Sequence, residues 1–184
     1  MGKIFERIED DLKNWLELQK MFFVATSPLA REGLINCSPK GQDTFRVLGP
    51  KLVAYQDLTG SGIETVSHLR ENGRVVIMFF AFEGSPKIVR LHGTGEVLES
   101  GHPDFDEVGS RFPLRTGTRS YIRIAVSRIS DSCGYSLPLF EYKEDRDVLD
   151  KWTEKKGEEG IVAYQREKNM RSIDNLPGLS SPAD

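Results

Sequence analysis

Short β-strand patterns crowd the stretch between Phe22 and Gly95, which limits the possible folds more than any other part of the chain. The stretch contains one helical pattern, at residues 63–69, which ends at Asn72-Gly73. The segments with strand composition or alternating polarity are residues 22–28, 33–40, 51–55, 74–82 and 87–98, with a sixth at 120–127. Short antiparallel strands with one inserted helix predict a small β-barrel.

Composition narrows the class of protein. The 184-residue chain is 38% hydrophobic and 29% charged, as expected of one soluble domain with a sizeable core. Its formal net charge of −3 argues against broad electrostatic binding to nucleic acid or to a membrane. The longest apolar run, residues 75–82, is too short to cross a bilayer, and the charged N-terminal segment does not predict a signal peptide. Two cysteines without a C-x-x-C pair predict a cytoplasmic location.

Three regions of the chain differ in pattern. Residues 1–20 predict a helix that packs on the barrel through Ile4, Phe5, Ile8, Leu12, Trp15 and Leu16. Residues 21–130 predict the barrel, including a short helix at 103–112. Residues 131–184 predict a helical extension and a tail. The extension has a helix at 145–164 that breaks near Gly157 and Gly160, and its predicted inward residues are Val148, Leu149, Trp152, Ile161 and Tyr164. The tail, from about Ile173, is either disordered or laid over another surface.

The polar turn Thr59-Gly60-Ser61-Gly62 is a candidate anion site because it precedes a helix. A helix N-terminus presents unpaired N–H groups and a partial positive charge, which suit a phosphate. Thr65 and Ser67 add hydroxyl groups to this region. The same residues also fit an ordinary capped surface helix, with Ser61 as the N-cap and Glu64 completing a capping box.

A second polar segment, Ser38-Pro39-Lys40-Gly41, places a lysine after the second strand pattern. Arg46 follows on a short extended piece, residues 44–48, and two cations in one short polar region favour an anion site. A solvated turn lysine is the alternative interpretation.

The histidines and cysteines predict neither a metal site nor a catalytic centre. His68, His92 and His102 lack ligand spacing, and His68 is expected on the exposed side of its helix. Cys37 and Cys133 have no neighbouring helix start or cation pair, so we expect inert, buried thiols.

Several motifs together resemble the pyridoxamine 5′-phosphate oxidase-like family. The resemblance covers about Trp15 to Ser127 and rests mainly on the order of the strands and on the helix after the third of them. The motifs are Phe22-Phe23-Val24-Ala25-Thr26, Asn36-Cys37-Ser38-Pro39-Lys40-Gly41, Leu52-Val53-Ala54-Tyr55, Thr59-Gly60-Ser61-Gly62 and His68-Leu69-Arg70-Glu71-Asn72. Residues 132–138 and 172–179 resemble an uncharacterised bacterial branch of that family.

The resemblance implies a mainly β protein with flanking helices, a six-stranded antiparallel Greek-key split β-barrel that binds FMN. It also implies a homodimer with two cofactor clefts at its interface. Strong apolar character on the first helix and on residues 75–82 independently predicts a two-fold interface. With Arg46 added from the charge pattern, the candidate cofactor-binding residues are Ser38, Lys40, Arg46, Tyr55, Gln56, Ser61, Gly62, Thr65 and Ser67.

One position departs from the family pattern. True pyridoxamine phosphate oxidases carry an adjacent Arg-Lys pair at the helix start, which grips the FMN phosphate, whereas this chain has Glu64-Thr65. The C-terminal third also lacks the substrate-recognition end of the classical oxidase. Oxidation of vitamin B6 is therefore not expected.

Three functions are compatible with the sequence. The first is an FMN-dependent oxidoreductase that acts on an unidentified small molecule, with the 132–138 segment either covering the flavin or forming a rigid turn. The second is a non-catalytic flavin-binding or carrier module. The third is another ligand on the same barrel, such as a deazaflavin or a haem, for which the few histidines are unfavourable.

Overall fold

The computed structural model describes residues 2–180, which form an antiparallel sheet with four flanking helices. The strands are β1 (Ile4–Phe5), β2 (Phe22–Thr26), β3 (Asn36–Lys40), β4 (Phe45–Gly49), β5 (Leu52–Leu58), β6 (Arg74–Phe80), β7 (Ile88–Leu98) and β8 (Thr118–Ser132). The helices are α1 (Asp10–Leu18), α2 (Glu64–Asn72), α3 (Phe105–Gly109) and α4 (Val148–Lys168).

Each pair of neighbouring strands is antiparallel, in the order β3-β2-β6-β7-β8-β5-β4, with β1 also on β8. The predicted mainly β class with flanking helices is confirmed. The described chain has eight strands rather than six, for two reasons. The extended piece at residues 44–48 pairs with β5 as β4, and Ile4–Phe5 pairs with Ser130 and Ile129 of β8. Helix α2 connects β5 to β6, which lie in different parts of the sheet.

Aromatic rings from four strands meet in the main core. Phe22, Phe45, Tyr55 and Phe79 are all buried, and the ring centroids of Phe45 and Phe79 lie 4.8 Å apart. Phe22 contacts the other three rings at centroid distances of 5.4–5.7 Å. Buried aromatic side chains contribute a large apolar area and prefer such edge, tilted or offset-stacked contacts. The cluster therefore fixes β2, β4, β5 and β6 relative to one another.

The N-terminal segment differs from the predicted continuous helix. Ile4 lies in β1 and its side chain is 59% exposed, because the backbone there pairs with β8 instead of coiling. Helix α1 begins at Asp10, and its apolar face, with Leu12 and Leu16, lies in the main core as its periodicity predicted.

Helix α2 differs from the prediction in its N-cap residue and in the burial of His68. Its N-cap is Ile63 without a side-chain hydrogen bond, so the Ser61–Glu64 capping box is wrong. The Glu64 carboxylate instead accepts a hydrogen bond from the Ile173 amide at 3.2 Å. His68 is fully buried rather than exposed, because its ring turns toward β2 and contacts Thr26. The predicted stop is confirmed, since Gly73 is left-handed and its N–H bonds the Leu69 carbonyl.

The C-terminal helix has the predicted break. Gly157 has φ 64° and interrupts α4. Ile161 is buried as expected, whereas Val148 is 66% exposed, and the buried face is completed by the polar residues Thr153 and Gln165. The prediction for Val148 failed because α4 starts beside an open cleft.

Of the two interpretations of the tail, the packed one holds through residue 180, since Leu179 is buried in the main core. Residues 181–184 lie outside the described part.

Candidate functional site

A buried carboxylate on β5 holds cations from two other strands. The Asp57 side chain is fully buried, and its Oδ1 lies 3.1 Å from Nζ of Lys40 on β3. Arg119, on β8, donates from Nε to Asp57 Oδ2 at 2.6 Å, and Ser120 Oγ donates to the same oxygen at 3.3 Å. We call Lys40, Asp57 and Arg119 the charge cluster.

The charge cluster carries a net positive charge. Burial pushes the pKa of Asp57 upward, but the charges of Arg119 and Lys40 more than offset it and lower that pKa to about 2. Asp57 is therefore ionised at neutral pH, and one carboxylate faces two cations. The Arg119 side chain is 4% exposed and that of Lys40 is 20% exposed. Lys40 is thus the member that presents the surplus charge outward.

Lys40 also lies on the wall of a large cleft. The cleft has a volume of about 1370 Å³ and separates the β3 edge from the extension around residues 140–152. Its aromatic lining consists of Trp15, Phe82, Phe140, Tyr142 and Trp152. Gln42 Nε2 donates to the Arg146 carbonyl at 2.5 Å, which ties the extension to the barrel across the cleft. The lining also includes the basic residues Lys20, Lys143 and Arg146 and the acidic residues Glu83, Glu141, Glu144 and Asp145, and Lys40 is the cation that the charge cluster holds in place. Aromatic side chains beside a fixed cation suit a flat ring that carries or gains negative charge.

A hydrogen-bonded network connects β3 with α2. Asn36 Nδ2 donates to the hydroxyls of Thr26 and Thr65, at 3.2 and 3.0 Å. Ser38 Oγ donates to Asn36 Oδ1 at 2.9 Å, and Thr26 Oγ1 lies 3.0 Å from His68 Nδ1. Both amide hydrogens of Asn36 are used, and its Oδ1 can only accept a hydrogen bond, so the Ser38 hydroxyl donates to it. The lone pairs of Ser38 Oγ are therefore available to a ligand.

Polar atoms without partners accompany this network. Within residues 2–180, the Tyr55 hydroxyl, Ser67 Oγ and His68 Nε2 are buried and have no partner in good hydrogen-bonding geometry. Burial, reinforced by the charge of Asp57, raises the pKa of Tyr55 well above its ordinary value. The phenol is therefore a neutral donor. Burial also lowers the pKa of His68, so its ring is neutral at pH 7.

The turn before α2 lies next to the charge cluster. Arg119 Nη1 donates to the Gly60 carbonyl at 3.4 Å. Thr59 is buried, whereas Ser61 and Gly62 are exposed at the tip of the turn. The open side of the turn is thus available to a ligand.

Two predicted residues lie apart from this group. The Gln56 side chain points to the opposite face of β5, where Nε2 donates to the Pro113 carbonyl at 2.9 Å and to Thr118 Oγ1 at 2.8 Å. Arg46 forms a two-pronged ion pair with Asp43, at 2.7 and 2.8 Å. The remaining predicted residues lie on β3, on β5, in the turn before α2 or on α2 itself, and Lys40 is the one of them that lines the cleft: Ser38, Lys40, Tyr55, Ser61, Gly62, Thr65 and Ser67.

The sequence interpretation missed Asp57, Arg119 and Asn36. Strand alternation was an available signal for Asp57, which shares the inward face with Tyr55 two residues earlier. Arg119 is 62 residues away from its partner, and only the pairing of β5 with β8 brings the two together. The expectation of buried cysteines was also wrong, because Cys37 and Cys133 are both free and exposed.

Comparison with known proteins shows which family this chain belongs to. The family model described as pyridoxamine 5′-phosphate oxidase matches residues 8–133. A curated relative, the pyridoxamine 5′-phosphate oxidase family protein ustO of Aspergillus flavus, is 39% identical over 200 residues. That match covers 98% of this chain and 79% of the relative. The chain belongs to the pyridoxamine 5′-phosphate oxidase family.

Solved structures show the same fold. A variant of HupZ from Group A Streptococcus is 25% identical, with a TM-score of 0.52 over 68% of this chain and 99% of that chain. A pyridoxamine 5′-phosphate oxidase-like protein of Lactobacillus delbrueckii is 16% identical, with a TM-score of 0.52 over 69% of this chain and 98% of that one. The predicted split-barrel fold of the family is confirmed.

The extension after the family barrel is shared with a relative. The family match ends at residue 133, whereas the match to the fungal relative extends over nearly the whole chain. Parts of this extension resemble an uncharacterised bacterial branch of the family, and the extension therefore also has a counterpart in a fungal protein. Within residues 2–180, no helix is long and apolar enough to span a bilayer, and no group of three or more His, Cys, Asp or Glu side chains is placed to hold a metal ion.

Proposed function

We propose that this member of the pyridoxamine 5′-phosphate oxidase family binds FMN and is an FMN-dependent oxidoreductase for a small molecule. The observation that carries the proposal is Lys40, which is held by the buried Asp57 and faces an aromatic cleft. An anchored cation beside aromatic side chains can stabilise negative charge on a flat ring without having to reorganise.

The chemistry of the donor set fits a flavin. The Tyr55 phenol is a buried donor without a partner in good hydrogen-bonding geometry, Lys40 is a cation, and Ser38 has free lone pairs. Bound FMN would supply the electron transfer. The chain would bind and orient it: Lys40 and Ser38 toward the ring, and Ser61 and Gly62 at the exposed turn toward the phosphate.

Vitamin B6 oxidation is not part of the proposal. Glu64 and Thr65 stand where the Arg-Lys pair of the classical oxidases would be, and both are engaged within the chain. Glu64 accepts from the Ile173 amide, and Thr65 accepts from Asn36. The hydrogen bond from the Ile173 amide partly neutralises the negative charge of Glu64. This weakens the repulsion between Glu64 and an anion bound at the turn.

A homodimer in a reducing compartment fits the same proposal. Large exposed side chains cluster on the β2–β3 connection and on the extension, and they include Leu34, Ile35, Leu139 and Phe140. A two-fold interface that completes the cleft would cover such surface. The free and exposed thiols of Cys37 and Cys133 fit a cytoplasmic location.

A fluorescence titration of FMN tests the role of Lys40. Lys40→Met removes the charge but keeps most of the side-chain length, so we expect FMN affinity to fall by about tenfold or more. Lys168→Met, at an exposed position near the end of α4, is the matched control and should bind like the unaltered protein. Equal affinity in Lys40→Met and the control would refute the proposed site.

A non-catalytic flavin carrier is the second candidate. The described residues that line the cleft include no histidine and no cysteine, and these side chains are the commonest proton carriers and nucleophiles in enzymes. Tight FMN binding without turnover in a screen of reductants and acceptors would favour the carrier.

A further inference from the structure

The C-terminal helix reaches back to the turn that precedes α2. Gln165 Nε2 donates to Thr59 Oγ1 at 2.8 Å, and both side chains are buried. Asn169 Nδ2 donates to the Gly60 carbonyl at 2.9 Å. These contacts join residues 106 and 109 positions apart in the sequence. We call Gln165 and Asn169 the clamp and residues 59–62 the turn.

The tail fixes the clamp from behind. The Leu179 N–H donates to the Asn169 carbonyl at 2.9 Å, and the Leu179 side chain is buried in the main core together with Ile63. Gly178 approaches so closely that a Cβ there would collide with the Asn169 carbonyl oxygen. Asn169 itself has no exposed surface. The clamp therefore cannot move unless the tail leaves the core.

The clamp and the charge cluster meet at one atom. The Gly60 carbonyl accepts from Asn169 Nδ2 and from Arg119 Nη1, at 2.9 and 3.4 Å. Ser61 and Gly62 stay exposed, so the clamp holds the turn on its buried side and leaves the ligand side open. Asn169 Oδ1 is buried on the side of the turn away from the ligand and has no partner in the described chain, a position suited to a bound water molecule.

We infer that Gln165 and Asn169 are positioning residues that hold the turn in the shape that binds the cofactor, an inference that rests on the proposed function. A polar loop with two glycines loses conformational entropy when it orders around a ligand. Contacts that order the loop beforehand remove this cost from binding. The turn lacks the cationic pair of the classical oxidases, so its affinity for a phosphate-bearing ligand depends on this rigidity.

Three variants test the clamp while leaving the ligand side of the turn intact. Gln165→Met and Thr59→Val each remove one end of the same hydrogen bond, and Asn169→Leu removes the bond to Gly60. Each single variant removes a buried hydrogen bond, so we expect its melting temperature to fall by a few degrees. In a fluorescence titration well below that temperature, FMN binding should weaken about five- to tenfold. The double variant Thr59→Val/Gln165→Met should bind no more weakly than the weaker single variant. Glu158→Gln, on the exposed side of α4, is the control.

Hydrogen exchange of the flavin-free protein gives a second readout. Amides of residues 60–65 should exchange faster in the clamp variants than in the Glu158→Gln control. If the unaltered chain binds FMN and the clamp variants bind it equally well, the inference is overturned while the proposed function stands. A loss of affinity that disappears when each variant is titrated well below its own melting temperature also overturns it. If the unaltered chain binds no FMN, the proposed function fails, and the inference fails with it.

Discussion

Asp57 decides the electrostatics of the site at the scale of single residues. A buried carboxylate is costly unless cations and hydrogen bonds surround it, and Asp57 has Lys40, Arg119 and Ser120 as partners. In turn, Asp57 keeps the charges of Lys40 and Arg119 in a fixed place. A cation that is already held in position can act on a ligand without first losing the entropy of its side chain.

Removing the Asp57 charge should destabilise the protein. Asp57→Asn leaves Arg119 buried without its counterion, and we expect the free energy of unfolding to fall by about 3 kcal/mol or more in urea denaturation. Asp43→Asn is the control, because the Asp43 side chain is 64% exposed in its pair with Arg46 and should cost less than about 1 kcal/mol. An equal loss in the two variants would contradict a structural role for the cluster.

The same variant has a defined pH dependence. The folded pKa of Asp57, about 2, lies below the value of about 3.9 for an unfolded aspartate. The contribution of the charge is therefore complete above about pH 5 and is lost as the pH falls through about 4 toward 2. The difference in unfolding free energy between the unaltered chain and Asp57→Asn should thus be constant from pH 7 to 5 and smaller at pH 3. A difference that does not shrink at pH 3 would show that Asp57 has an ordinary pKa.

Helix α2 shows, at the scale of elements, what the sequence could and could not predict. Apolar spacing predicted the helix, and Asn72-Gly73 predicted its end, because both depend on neighbouring residues. Its start and the burial of His68 could not be predicted in this way. They depend on Ile173 and Thr26, which are distant in sequence. The candidate site follows a similar division: Lys40 was predicted from a local polar segment and Tyr55 from the family resemblance, whereas Arg119 required the pairing of β5 with β8.

The end of α2 offers a test at this scale. Gly73 has φ 71°, and an ideal Cβ there would lie 2.8 Å from Thr94 Cγ2. Gly73→Ala should therefore cost about 1–2 kcal/mol of unfolding free energy, from the left-handed conformation and the crowding together. Gly160→Ala, in the helical part of α4, should cost less, because alanine has the higher helix propensity and the added Cβ would meet the Lys156 side chain at 3.2 Å, a milder crowding than at Gly73. Equal unfolding free energies for the Gly73→Ala and Gly160→Ala variants would contradict the left-handed conformation of Gly73 at the end of α2.

The whole molecule combines a family barrel with an extension that returns to it. The barrel supplies the charge cluster, and the extension supplies one wall of the cleft and the clamp. Strand alternation made the barrel predictable, whereas the docking of the extension depends on long-range contacts such as Gln165 with Thr59. The proposed dimer would bury exposed apolar side chains on the β2–β3 connection and on the extension, among them Ile35 and Phe140.

Light scattering coupled to gel filtration, with visible absorbance recorded after incubation with FMN, tests the central claim most directly. We expect a particle of about twice the 20.8 kDa chain mass that carries one FMN per chain, with flavin absorbance that persists through the column. A particle of single-chain mass without flavin absorbance would contradict both the proposed cofactor site and the proposed dimer.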